Sequence, residues 1–152
     1  MSVYQEAKGS PILKAIIAVL SLALLYVLYE PYKIREEEET FRAESRARMI
    51  NLRQAQLLHI GYRGRYNTSV DSLVQFIHTL HDTIRASYFR PLVLSPFVPE
   101  SLLHTPKSWK PYSLQVVDTT AILKYLLEDP DGYGSVGSLT DDARVNKASW
   151  EE

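Results

Sequence analysis

Residues Ile12 to Tyr29 read ILKAIIAVLSLALLYVLY, and this stretch decides how the rest of the chain is read. It runs for 18 residues with one charge, Lys14, and one hydroxyl, Ser21. At about 1.5 Å per residue a helix of that length spans about 27 Å, close to the hydrocarbon thickness of a bilayer. Lys14 lies one turn inside the start, where its long stem can carry the ammonium to the headgroups. Tyr26, Tyr29 and Tyr32 crowd the other end, where amphipathic rings favour the interface. A small domain rarely surrounds a helix that is apolar on every side, so the sequence predicts a transmembrane helix over 12–29. The residues that follow, Glu30-Pro31-Tyr32-Lys33, contain no small-x-small cleavage site, which predicts an uncleaved signal anchor.

The remainder of the chain is short. The total is 152 residues and 17.4 kDa, which leaves room for one small domain beside the anchor and a short tail over 1–11. There is no cysteine, which excludes a disulfide scaffold, thiolate-ligated metals, a thiol nucleophile and lipoprotein processing. With 17 basic and 18 acidic side chains the balance argues against a nucleic-acid partner. Lys8 and Lys14 precede the apolar run, whereas Lys33, Arg35, Arg42, Arg46 and Arg48 follow it. Counted by the positive-inside rule, this asymmetry places the C-terminal part in the cytoplasm.

Downstream of Lys33 no glycine or proline occurs before Gly61, and good helix formers dominate. The spacing predicts one nearly continuous helix over 11–62, with a kink at Pro31. Glu38–Arg42 and Glu44–Arg48 fall at i,i+4 on what reads as a solvated face. Ala43, Ala47, Ile50, Gln54, Leu57 and Gly61 fall at 3–4 spacing and predict the stripe that packs on a globular head. The segment 30–65 is thus read as an extended amphipathic stalk with an exit turn at Gly61–Asn67.

The head begins at about residue 66. Thr68 or Ser69 is positioned to cap a second helix, VDSLVQFIHTLH, which presents Val70, Leu73, Val74, Ile77 and Leu80 on one side. Five of the eight prolines lie between residues 91 and 111, leaving room only for a short edge strand at Arg90–Leu94. Tyr112 to Asp118 alternates as a half-buried strand, and Ala121 to Glu128 reads as helix or strand. Asp129-Pro130-Asp131-Gly132 then predicts a hairpin turn with a return strand over 133–139. Thr140 to Glu152 reads as a loop with Trp150 against the sheet. The predicted class is α+β: a long N-terminal helix packed on a small antiparallel sheet.

Chemistry-bearing residues are sparse. His78 and His81 lie at i,i+3 with Asp82 beside them, but no third ligand is set by the sequence, and no metal is expected. Asp118, Asp129 and Asp131 lack the rest of a calcium loop. Gly132, Gly134 and Gly137 lie between strands rather than before a helix, which argues against a phosphate cradle. No nucleophile elbow, P-loop or HExxH is present, so neither catalysis, a cofactor nor a small-molecule substrate is expected. The head is rich in aromatics, and most must fill a thin core. Trp109 and Tyr133 lie on turn-rich segments and, with Lys14 in the anchor, are the expected partner contacts.

Two stretches carry a family resemblance. Lys8-Gly9-Ser10-Pro11-Ile12-Leu13-Lys14 with its apolar run resembles the leader boundary of prepilins. Arg46-Ala47-Arg48-Met49, Leu52-Arg53-Gln54-Ala55-Gln56, Tyr62-Arg63-Gly64-Arg65-Tyr66 and Ser69-Val70-Asp71-Ser72-Leu73 are similar to the helix, aromatic and Gly-x-Tyr turn of type II secretion pseudopilins. The chain thus resembles the type IV pilins and pseudopilins over about its first half. The segments Ala55-Gln56, Gly61-Tyr62 and Asp71-Ser72-Leu73, with the Ser149-Trp150-Glu151 tail, are also similar to single-pass envelope proteins of Bacteroidota. The resemblance implies an inner-membrane subunit of a pilus-like or secretion assembly, with other subunits or itself as partner and an exported, periplasmic head. Where the family carries glutamate at the fifth mature position, this chain has Lys14. An accessory subunit that docks on a larger membrane complex without polymerising is the alternative.

Overall fold

The computed structural model describes residues 10–119 and 122–151. The chain divides into two compact units, Met1–Glu39 and Thr40–Glu152, and helix α1 (Pro11–Arg63) contributes to both. The expected tail over 1–11, with its leader-like boundary, lies outside the described residues as far as Gly9.

In the first unit every described side chain from Ser10 to Glu37 is exposed. An 18-residue window of α1 has a mean hydropathy of 2.4, none of it buried, so the helix is long and apolar enough to cross a membrane or act as a signal anchor. The helix passes through Pro31 without interruption. It ends at Arg63, one residue past the expected end, where Gly64 with φ of +74° supplies the left-handed cap.

The second unit is α+β, as expected. Helix α2 (Val70–Thr79) buries Val70, Leu73, Val74 and Ile77, the face its 3–4 periodicity defines. Ser69 occupies the cap position yet makes no side-chain cap hydrogen bond. The helix ends two residues short of the expected His81, because Leu80 turns extended, and His81 caps an unforeseen helix α3 (Asp82–Tyr88), its Nδ1 accepting from the Thr83 N–H. No strand forms at Arg90–Leu94; the prolines leave that segment irregular.

The sheet is three antiparallel strands in the order β1 (Ser113–Thr119), β2 (Ile122–Glu128), β3 (Ser135–Gly137). Ile122–Glu128 is rich in helix formers, but Val116 opposite Tyr125 and Leu114 opposite Leu127 put two large buried side chains of β2 on the core face. That burial on a pleated surface overrides the local preference. Asp129 to Gly132 forms the predicted turn, with the Gly132 N–H donating to the Asp129 carbonyl and the Asp131 N–H to Asp129 Oδ1. The tail covers the outer edge of β3: Gly137 N–H donates to Lys147 O at 2.9 Å and Ser149 N–H to Ser135 O at 2.8 Å. Trp150 packs against the core as expected, with the Arg46 guanidinium 4.8 Å above its ring.

The face of α1 that enters the core differs from the expected stripe. Ala43 and Gly61 are exposed, while Ala47, Ile50, Gln54 and Leu57 are only partly buried. The buried residues form two neighbouring rows, Glu44–Arg48–Asn51–Ala55 and Ser45–Met49–Leu52–Gln56, each stepping by four, three and four. They begin one and two residues later than the expected row, which centres the buried face about 150° around the axis from it. Only Met49, Leu52 and Ala55 among them are apolar.

Candidate functional site

The polar members of those rows hold the irregular loops of the head. Glu44 has no exposed surface; its Oε1 accepts from Arg48 Nε at 2.8 Å, and its Oε2 accepts from the Val93 and Leu94 N–H groups at 2.7 and 3.1 Å. Arg48 Nη1 passes the contact on to the His104 carbonyl at 2.8 Å. The Glu44–Arg48 pair foreseen at i,i+4 is therefore buried, not solvated. Asn51 pairs both backbone groups of Arg90, and Gln56 does the same for Asn67, all four bonds between 2.8 and 3.0 Å. Ser45 donates to Asp129 Oδ2 and lies 3.0 Å from the Tyr112 hydroxyl. Burial pushes the Tyr112 hydroxyl above the ordinary tyrosine range, against the hydrogen bond to Ser45. A proline-rich loop has few backbone partners of its own, and these side chains supply them. Each such bond contributes about 1 kcal/mol net, but leaving the group unpaired costs about 1–3 kcal/mol.

What this scaffold presents is the loop from His104 to Pro111. His104 and Pro111 form an antiparallel bridge, and Thr105 N–H donates to Lys110 O at 2.8 Å. Thr105 has no exposed surface, its Oγ1 lying 3.1 Å from Ser108 Oγ and accepting from the Lys110 N–H at 3.3 Å. The Ser108 N–H donates to Asp131 Oδ2, which ties the loop to the Asp129–Gly132 turn. Trp109 sits at the tip of this clasp with φ of +57°, the one non-glycine among the described residues in the left-handed region. That conformation costs about 1–3 kcal/mol. The indole is 68% exposed and stacks on His104 with ring centroids 5.0 Å apart and planes 6° from parallel. A strained backbone that displays a large aromatic to solvent works against stability.

Of the three expected contacts, Trp109 is displayed and Tyr133 is not. Tyr133 is buried at 5% exposure, because its neighbours fold over it: Lys107 Nζ lies 5.8 Å over the ring, and its carbonyl accepts from Arg46 Nε at 3.1 Å. The expectation for Tyr133 is corrected accordingly. It supports the corner from which Trp109 projects. Lys14 is exposed on the first unit. His78 and His81 do not converge: His78 pairs with Glu100 at 2.8 Å and His81 serves as the α3 cap. Among the described residues no group of three or more His, Asp and Glu is placed to hold a metal.

Two further surface features lie on the second unit. An apolar hollow of about 380 Å³ is lined by Phe89, Phe97 and three prolines, the two rings stacked 4.9 Å apart. A polar hollow of about 330 Å³ brings His59, Arg65, Asn67 and Ser72 together with Asp118 at the far end of β1.

The Asp131 carboxyl is held below its ordinary range. Partial burial pushes it up, but hydrogen bonds from Ser108 and Thr105 and the charge of Lys110 outweigh that. A depressed folded-state value stabilises the clasp above the unfolded carboxylate range, and that contribution is lost as pH falls through the folded value. Asp131→Asn is therefore expected to lower the thermal midpoint at pH 7 by an amount equivalent to about 0.5–1 kcal/mol, discounted for exposure. Thermal scans of both chains from pH 7 to pH 3 should show the difference shrinking with acidification; a constant gap would remove the charge from the account.

No family model, characterised protein or solved structure matches this chain.

Proposed function

We propose that this chain is a membrane-anchored, non-enzymatic subunit of a cell-envelope assembly of the pilus-like or secretion type. It would sit once through the inner membrane, with its head in the periplasm. The observation that carries the reading is Trp109, a displayed aromatic whose backbone strain is maintained by a buried Thr105 and the Asp131 clasp. Aromatics of this kind anchor protein interfaces. The exposed apolar run of α1 supports the anchor. The non-enzymatic reading is supported by what the buried polar side chains do. Glu44, Arg48, Asn51, Gln56 and Asp129 all hold neighbouring chain segments in place.

Trp109→Gly separates structure from function. Glycine adopts the left-handed backbone without strain, so the thermal midpoint of the full chain in detergent should hold within about 1 kcal/mol or rise. The native complex in mildly solubilised membranes should be lost on blue-native electrophoresis. Survival of the complex with the variant would overturn Trp109 as the anchor. Lys14, a cation where self-assembling pilins carry an acid, favours the accessory reading. A single band of fixed stoichiometry on the same gel supports it, and a ladder of self-assembled species supports the polymerising subunit. Protection of the head from protease added to spheroplasts would overturn its export.

A further inference from the structure

The two edges of the sheet are treated differently. The outer edge of β3 is closed by the tail through the Gly137–Lys147 and Ser149–Ser135 bonds and the Val136–Ala148 bridge. The outer edge of β1 has no backbone hydrogen bond to any described residue, although β1 pairs with β2 along its whole length. Alternate residues of β1 therefore turn their N–H and C=O groups to solvent. Natural edges of this length are usually blunted by lysine, proline or a bulge. Ser113-Leu114-Gln115-Val116-Val117-Asp118-Thr119 contains no lysine or proline, and its register with β2 is unbroken over seven pairs.

We propose that the β1 edge is a self-association surface, on which β1 of a second copy of this chain adds antiparallel about a two-fold axis at Val116. This deepens the assembly reading above by naming where one copy meets the next. The strand can meet its own reverse without setting like charges opposite each other. In that register Ser113 meets Thr119, Leu114 meets Asp118, Gln115 meets Val117, and Val116 meets itself. The single charge, Asp118, never faces its own copy. It lines the same hollow as Arg65 and His59 of its own chain. Face parity is also preserved: Leu114 and Val116, which pack on the core, extend a core face already present in the partner. Two three-stranded sheets become one of six. A seven-residue edge buries too little surface for a stable dimer in dilute solution, and confinement to a membrane raises the effective concentration that such a weak contact needs.

The cysteine-free chain makes the test direct. Two differently tagged full-length copies, one carrying Gln115→Cys and the other Val117→Cys, are co-expressed and their membranes oxidised with copper phenanthroline. Directly opposed residues bring Cβ atoms to about 4.5–5.5 Å, within reach of a disulfide after small adjustment. The expected result is a mixed disulfide dimer from the 115/117 pair, and little from 115/115 or 117/117. Adding Val117→Glu to the Gln115→Cys copy, with Gln115→Glu on the other, sets like charges across the join. Each added carboxylate faces β2 of its own chain from an exposed position, with Val117 opposite Lys124 and Gln115 opposite Leu126. The crosslinked fraction should fall about fivefold, as for unit charges about 8 Å apart at an effective dielectric of about 40. Absence of the mixed dimer, equal yields from all three pairs, or a disulfide to a different protein would each overturn the second copy as occupant. If the native complex of the wild-type chain persists while no mixed dimer forms, the edge inference alone fails. If the dimer forms and no larger complex exists, the envelope-assembly reading alone fails.

Discussion

Replacing Glu44 with alanine is expected to destabilise the head by about 3–5 kcal/mol, the cost of breaking a buried pair by removing one partner. The residue has no exposed surface, and its carboxylate receives three hydrogen bonds, two of them from consecutive backbone N–H groups of the proline-rich loop. Removal leaves the Arg48 guanidinium, itself only 8% exposed, without its counter-charge and leaves the Val93 and Leu94 donors without an acceptor. An exposed i,i+4 pair is worth only about 0.3–0.5 kcal/mol, so the expected loss is nearly tenfold larger than a solvated face would show. Urea unfolding of the full chain in detergent, followed by the shift in midpoint at constant slope, measures it. A loss under about 1 kcal/mol would mean that the carboxylate is hydrated in solution. The double variant Glu44→Ala with Arg48→Met should recover part of the loss, because an apolar side chain is less costly to bury than an unpaired cation.

The same residues explain which parts of the fold were legible in the sequence. The apolar run, the stop near Gly64, the buried face of α2 and the β2–β3 turn each follow from a local pattern: periodicity, a left-handed glycine, an Asp-Pro-Asp-Gly turn. The core-facing side of α1 has no such signature. Five of its eight buried residues are Glu44, Ser45, Arg48, Asn51 and Gln56. A search for apolar residues at 3–4 spacing finds the neighbouring row instead. What buries a polar side chain is a partner elsewhere: Arg90 for Asn51, Leu94 for Glu44, Asp129 for Ser45. A contact made 39, 50 or 84 residues away leaves no trace in the local pattern. The density of prolines between 91 and 111 was the available hint, because a loop that cannot bond to itself must be held by something else.

Trp109 and Tyr133 show the same division at the candidate site. Composition and turn-rich context were enough to single out both, and the fold brings both to one corner of the head. Whether each side chain is displayed depends on the φ of one residue and on a lysine stem lying across one ring. Neither is encoded by spacing. The basic residues near the head carry a related lesson. Arg46, Arg48 and Arg53 bind Tyr133, Glu44 and Glu151 within the head. Two of the five cations that the positive-inside count places after the apolar run therefore have structural roles within the head.

Glycine substitutions give the second large expected effect, because three positions differ in a way that separates backbone strain from crowding. Gly61 is helical and exposed, with open space where a Cβ would stand, so Gly61→Ala should stabilise by about 0.5–1 kcal/mol. Gly132 has φ of +81° and equally open surroundings, so Gly132→Ala should cost only the left-handed strain, about 1–2 kcal/mol. Gly137 has φ of +91°, and a Cβ there would overlap the Tyr125 carbonyl oxygen and stand 3.1 Å from the Val145 carbonyl oxygen. Both obstacles are backbone atoms, one in β2 and one in the tail, and cannot swing aside as a side chain could. Gly137→Ala should therefore cost about 3 kcal/mol or more, the strain and the overpacking together. Urea midpoints for the three variants in one detergent should rank in that order; equal losses for Gly132→Ala and Gly137→Ala would show that β3 moves to make room. The variant also bears on assembly. Gly137 donates one of the two backbone hydrogen bonds that hold the tail along β3, so forcing it away loosens the cover of that edge and leaves the sheet with a second weakly protected edge besides β1. A chain with two open edges can propagate where a chain with one can only pair, and Gly137→Ala should convert a discrete native species into higher aggregates.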